Sequence, residues 1–426
     1  MEVPMIKMRT LLPMLLVLSL GFGCACNKKK TDITPVSDEV NISLGEQNNA
    51  FAFNLYALAD EPGKNLFYSP HSITSALSMV YGGAQGNTAK QMAKAMSFNL
   101  PAEEQHKAYL SLQQSLNALG EKGKAELNVA NALFGSTTNE KFIRKDYLKL
   151  LRESYLSDLY SLDFSDFSGT AKFINTWVEG KTKDRIKNLV TEDHIRDSNE
   201  GMVLVNAIYF KGSWLNEFEP KLTMKDKFFV SSTERMEENS RNVEMMTARG
   251  DYRYAQLDGL QLLELPYAEE DLAMLFVLPD EINDMGKLLN PKNFQAWNKS
   301  LEKQEVKIFI PKFKFDLTLE GLSDMLKKLG MTDAFNSNLA NFNGIIPDDT
   351  GRGLFILDVI HKAFVEVNEE GTEAAAATGV VMATKAALGP DSTPIFRADK
   401  PFVYLLVHKP SNTVLFMGKM NEPPKM

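Results

Sequence analysis

The chain has 426 residues, 44% of them hydrophobic, and sets 47 lysines and arginines against 55 aspartates and glutamates for a net charge of −8. An acidic balance with no basic stripe argues against nucleic acid and polyanions as partners. The only two cysteines, Cys24 and Cys26, lie near the start, so the rest of the chain forms no disulfide framework, no thiolate metal site and no cysteine nucleophile.

Lys7 and Arg9 precede an apolar run from Leu11 to Gly23, which reads as an export signal over residues 1–23. Pro13 interrupts the run, and it is shorter than the roughly 20 residues a membrane-crossing helix needs, so a removed signal fits better than a retained anchor. Gly23 and Ala25 directly precede Cys24 and Cys26, which resembles the lipobox of bacterial lipoproteins, although the motif's leucine lies one position early, at Leu20. That resemblance implies a cell-envelope lipoprotein held to a membrane by a lipid on Cys24 or Cys26, facing the periplasm or the outside. An ordinary secreted protein with two incidental thiols is the other reading. Residues 24–44, polar and at first basic, suit a flexible tether.

From residue 45 to 426 there is no internal repeat or low-complexity linker, and one continuous domain is the simpler reading. Phe51, Leu55 and Leu58 fall on one helical face. Asn65 to Tyr68 reads as a short strand running into Ser69 as N-cap, with Pro70 in the first helical turn and Ile73, Leu77 and Val80 facing inward. Thr88 and Gln91 suggest a capping box for a helix through Met96. Val203 to Phe210 is an apolar run broken only by Asn206, as in a central strand covered on both faces, and it buries Asn206. Val306, Ile308 and Ile310, then Phe313, Phe315, Leu317 and Leu319, alternate as strands with one buried face. Pro401 to Val407 and Val414 to Met420 flank a turn at Lys409 to Asn412 and predict a hairpin. Helices come mostly early and strands mostly late, which favours an α+β fold.

Catalytic frames are broken or missing. There is no His-Glu-x-x-His pattern and no Gly-x-Ser-x-Gly elbow; Gly180-Lys181-Thr182 and Gly351-x-Gly353 lack the further glycines of phosphate loops and read as turns. His361, in an apolar stretch, reads as a buried histidine satisfied by a polar neighbour before it reads as a base. A hydrolase using His361 with Ser69 or Ser72 is the weaker hypothesis.

The informative segment runs from Glu369 to Lys400. With a period of two, Thr372, Ala374, Ala376, Thr378, Val380 and Met382 share a face of small or apolar side chains, and Glu373 falls on the other, so the segment enters a sheet with little charge burial. Its four consecutive alanines, with Thr372 as cap, fit a short surface helix equally well.

Glu369, Glu370, Gly371, Thr372, Glu373, Ala374, Ala375, Ala376, Ala377 and Thr378 are nearly identical to the hinge of the reactive-centre loop in inhibitory serpins. The resemblance extends to Asn65 to Gly83, Val205 to Trp214, His361 to Asn368, and Pro401 through Gly418, in family order. It implies three β-sheets, eight or nine helices and an exposed loop at about 369–400 that baits a serine protease. The cleaved loop then enters the main sheet and traps the acyl-enzyme irreversibly, in a monomer that is metastable and needs no cofactor or metal.

The family's usual loop span places the reactive bond between Lys385 and Ala386, hence trypsin-like targets, with an incidental loop lysine as the alternative. Met382, Ala383 and Thr384 leave room for elastase-like or cysteine proteases. By position, Ser69, Ser72, Asn206 and His361 match the family's shutter, and Trp214, Lys312 and Glu369 its breach. The polar run Ser231 to Arg241 reads as a loop insertion. A non-inhibitory serpin that binds or stores is the competing function; the small-residue hinge speaks against it.

Overall fold

The computed structural model describes residues 36–121, 125–195, 201–231, 235–351, 353–372 and 391–424. The export signal, Cys24 and Cys26 lie outside them. Packed structure begins earlier than residue 45: Ser37 caps the helix Asp38–Ala59 by accepting from the Val40 N–H, with Asp38 and Glu39 at its positive end. Leu44, assigned to the tether, is buried, as are Phe51 and Leu55. Leu58 is 36% exposed although its neighbour Ala59 is buried, so it lies off the face that packs on the core. Among the described residues no helix is long and apolar enough to cross a membrane.

The helix Pro70–Tyr81 forms as its cap residues dictate. Ser69 is extended, its hydroxyl accepts from the Ser72 N–H at 3.1 Å, and Pro70 occupies the first turn. Ile73, Leu77 and Val80 are fully buried, and Ser72, Thr74 and Ser78 are buried too, so this helix lies inside the core. The following helix, Gly86–Ala95, starts at Gln85 and has no side-chain cap. Thr88 and Gln91 lie within it and serve tertiary contacts instead: Thr88 accepts from the Asn341 N–H, and Gln91 from those of Thr332 and Asp333.

Six strands form the main sheet, in the order Phe313–Thr318, Phe355–Val367, Gly371–Thr372, Gly201–Ser213, Ala125–Ser136, Leu159–Leu162. The central strand Gly201–Ser213 is apolar from Met202 to Phe210 except at Asn206, because both faces are covered. Met202, Leu204, Ile208 and Phe210 enter the large core shared with the helix Pro70–Tyr81, whereas Val203, Val205, Ala207 and Tyr209 pack with Ile174 and Val178 of the helix Phe167–Lys181.

The other strands form a nine-stranded sheet. Its long strand Ser240–Leu257 first pairs with Met224–Phe229, then with Glu302–Pro311, and finally with Leu260–Pro266. That one strand thus ties strands at both of its ends into a single hydrogen-bonded network. The C-terminal hairpin joins Phe402–His408 to Thr413–Met420. Among the described residues there are nine α-helices, and the class is α+β.

Candidate functional site

The strands Gly201–Ser213 and Phe355–Val367 pair in parallel from Gly201 opposite Phe355 to Tyr209 opposite Phe364. Beyond that point they are held apart by the two-residue strand Gly371–Thr372, antiparallel to both, with Thr372 opposite Val367 on one side and Gly212 on the other. The chain reverses just before it: Asn368 Oδ1 accepts from the N–H groups of Glu370 (3.1 Å) and Gly371 (3.2 Å). Gly371 has φ +152°, and a Cβ there would collide with the Gly212 carbonyl oxygen, so only glycine fits. Thr372 is 0% exposed, its hydroxyl 2.7 Å from that of Tyr267. Burial pushes the Tyr267 hydroxyl far above its ordinary range, so it stays protonated and uncharged under the main sheet. The remaining hinge residues, Glu373 to Thr378, and Lys385 and Ala386 lie outside the described residues.

Around this entry the predicted breach residues come together. The Trp214 N–H donates to the Glu370 carbonyl at 2.9 Å and its Nε1 to that of Asn368 at 3.0 Å, while its ring stacks on Tyr267 at 4.5 Å. Lys312 Nζ lies 3.1 Å from Glu369 and 3.1 Å from Glu244, and the Thr223 hydroxyl donates to Glu369 at 2.8 Å. Burial works to raise the Glu369 carboxyl, but hydrogen bonds from its own backbone, Thr223 and Lys312 outweigh it and hold the group below its usual range.

The shutter candidates meet lower in the same seam. Asn131, Asn206 and His361 stand opposite one another on three strands. The Ser69 N–H donates to His361 Nε2 at 3.0 Å, which leaves the imidazole proton on Nδ1, donating to Asn206 Oδ1. Asn206 Nδ2 in turn donates to Ser72 and Asn131. Burial lowers the His361 pKa to about 3, so the ring is neutral. The Ser69 hydroxyl donates to the Leu415 carbonyl and that of Ser72 to Asn131; neither is presented to the imidazole as a nucleophile would be.

Sequence reasoning missed Asn131, Tyr267, Thr223 and Glu244. Asn131 alone had a visible signal, a polar residue in the otherwise apolar stretch Val129 to Phe134. Among the described residues no group of three or more His, Cys, Asp or Glu could hold a metal ion.

The two central strands of the main sheet are thus parted at one end, with Gly371–Thr372 paired between them. The family model for "Serpin (serine protease inhibitor)" matches residues 46–423, and the chain belongs to that family. It is 37% identical to the leukocyte elastase inhibitor of Homo sapiens, over 89% of this chain and 99% of that one. It is also 37% identical to plasminogen activator inhibitor 2 of Homo sapiens, over 88% and 98%. Among solved structures, human thyroxine-binding globulin is similar at TM-score 0.78 and 30% identity, covering 91% of this chain and all of that one. Both sequence relatives are named as inhibitors, which supports serine protease inhibition as the broad activity.

Proposed function

We propose that this serpin is an irreversible, single-use inhibitor of trypsin-like serine proteases, which captures the acyl-enzyme by drawing residues 373–383 into the seam that Gly371–Thr372 has opened. The observation that carries the reading is the buried Thr372, already paired to both central strands. Continued without a bulge, its register runs the length of the seam. Down the strand Gly201–Ser213, Ala374 falls opposite Phe210, Ala376 opposite Ile208, Thr378 opposite Asn206, and Ala383 opposite Gly201, where the strand begins.

That register sends the small residues Ala374 and Ala376 toward the large core, and puts Glu373 between the cation Lys211 and Glu366, which is itself paired with Lys314. Thr378 falls opposite both Asn206 and His361, whose mutual hydrogen bond the incoming strand must break. A threonine hydroxyl can accept from His361 Nδ1–H and donate to Asn206 Oδ1, so the buried pair is satisfied again. The strand ends two residues before Lys385, so a protease held at that residue is pulled against the far end of the sheet.

In the chemistry, the protease serine attacks the Lys385 carbonyl carbon, the bond to the Ala386 nitrogen breaks and the new amine leaves, with the ester left on the enzyme. Insertion competes with hydrolysis of that ester. It replaces one parallel ladder by two antiparallel ones, a net gain on the order of 10 kcal/mol at roughly 1 kcal/mol per hydrogen bond. The intact molecule is therefore metastable. Met382, Ala383 and Thr384 extend the possible targets to elastase-like and cysteine proteases.

Incubation with trypsin tests this: a complex that survives boiling in detergent is expected, with the loop cut after Lys385. Cleavage without any covalent adduct would refute it. The sequence around Cys24 and Cys26 further supports export and lipid anchoring in a bacterial envelope. Labelled palmitate should enter the wild type in a bacterial host and be lost when the modified cysteine is changed to serine; no label in the wild type would leave ordinary secretion.

A further inference from the structure

Among the described residues of the polar run Ser231 to Arg241, one is firmly placed. Arg235 donates to both oxygens of Asp399, at 2.9 and 2.8 Å. The Asp399 side chain is only 3% exposed, and it also accepts from Arg397 Nε at 2.9 Å, while Arg397 donates as well to Asp226. One buried carboxylate thus orients two guanidiniums, each resting on a ring, Arg235 over Phe229 at 5.1 Å and Arg397 over Phe309 at 4.6 Å. These carboxylates use two of the five N–H groups of each arginine. With Lys225 and Lys227 the pair lines an open cavity of about 500 Å³. Even counting Glu237, which pairs with Lys227, cations outnumber carboxylates there, on a chain whose net charge is −8.

The position of the cavity gives it meaning. Lys225 stands opposite Glu244, which holds Lys312, which holds Glu369 at the N-terminal root of the bait loop. Arg397 belongs to the strand Ile395–Arg397, the C-terminal root, paired to Glu302–Pro311. The cavity is therefore linked by contacts to both described ends of the bait segment, Glu369 and the strand Ile395–Arg397, within reach of a protease that grips it, since a standard interface covers about 800 Å² per partner.

Building on the inhibitory reading, we propose that this cavity is an exosite that docks carboxylate side chains flanking the cleft of the target protease, so that the bait reacts faster with acidic-surfaced proteases. Oriented guanidinium forks beside lysines suit single carboxylates, and the acidic body of the chain repels a free polyanion.

Two trypsins of like cleft preference, one anionic and one cationic, test it through the second-order rate at which intact bait is lost. Counting loss by cleavage or by complex formation alike keeps this result separate from whether the protein inhibits. With anionic trypsin the wild-type rate should fall steeply from about 50 to about 500 mM salt. At low salt Lys225→Glu, an exposed position that leaves the fold intact, should slow it about tenfold and Arg235→Gln about threefold. Cationic trypsin should show neither loss. Equal changes with both enzymes, or none with either, would overturn the proposal.

Discussion

Thr372→Arg probes the entry of the loop at its first inserted residue. The native side chain is wholly enclosed between Gly212 and Val367, with the Tyr267 hydroxyl as its polar partner. An arginine must either bury a cation with no counter-charge, at a cost of about 3–5 kcal/mol, or stay outside and leave the strand without its first paired residue. Loss of the Thr372–Tyr267 bond adds about 1 kcal/mol. Because Thr372 is already enclosed in the intact protein, the arginine is expected to sit outside the seam there, and even 3 kcal/mol to bury it as the strand enters slows insertion about 150-fold, enough for hydrolysis of the acyl-enzyme to win. Titration of trypsin activity should give a wild-type stoichiometry near one inhibitor per enzyme, and the variant should be consumed as a substrate cut after Lys385. Thr372→Ser keeps the hydroxyl and the size, and should remain an inhibitor. A Thr372→Arg protein that still inhibits near one to one would refute the reasoning.

Thr378→Val should leave the melting temperature of the intact form unchanged but destabilise the cleaved form by roughly 1–3 kcal/mol, because His361 and Asn206 lose the incoming hydroxyl. Equal shifts in both forms by calorimetry would mean the register is wrong. Burial lowers His71, His106 and His408 to about 4 and His361 to about 3. The unfolded chain takes up those protons below the ordinary pKa of about 6.5 and the folded one does not, so stability is lost as pH falls from about 6.5 toward 4, by about 1 kcal/mol per histidine per pH unit. The intact form should therefore melt lower at pH 5 than at pH 7, and an unchanged melting temperature would contradict this. Lys385→Ala should slow the reaction with trypsin at least about 100-fold while leaving reaction with an elastase-like protease intact or faster; undiminished trypsin inhibition would place the reactive bond elsewhere.

Features written in local chemistry were legible in the sequence. Ser69 and Pro70 announce a helix start wherever they fall, and a lone Asn206 in an apolar run demands a buried partner, which His361 supplies. Lys312 and Glu369 are far apart in sequence, and their meeting was foreseen from family resemblance, not from spacing. Features decided by tertiary competition were not legible. Thr88 and Gln91 have the spacing of a capping box, yet their side chains satisfy backbone donors of a distant segment. The helix Asp38–Ala59 reaches into a stretch whose composition suits a tether, because Ser37 caps it and Leu44 finds the core. The two-residue strand Gly371–Thr372 has no local signature; only the gap between two longer strands specifies it.

The proposed inhibition depends on energy retained in the native fold and released when the loop is cut. Calorimetry of the intact protein beside the same protein nicked after Lys385 measures it directly. A nicked form that melts well above the intact one, with the gain largely abolished by Thr372→Arg, is the predicted result. Coincident melting of the two forms would show that no strand enters the seam, and would contradict the account.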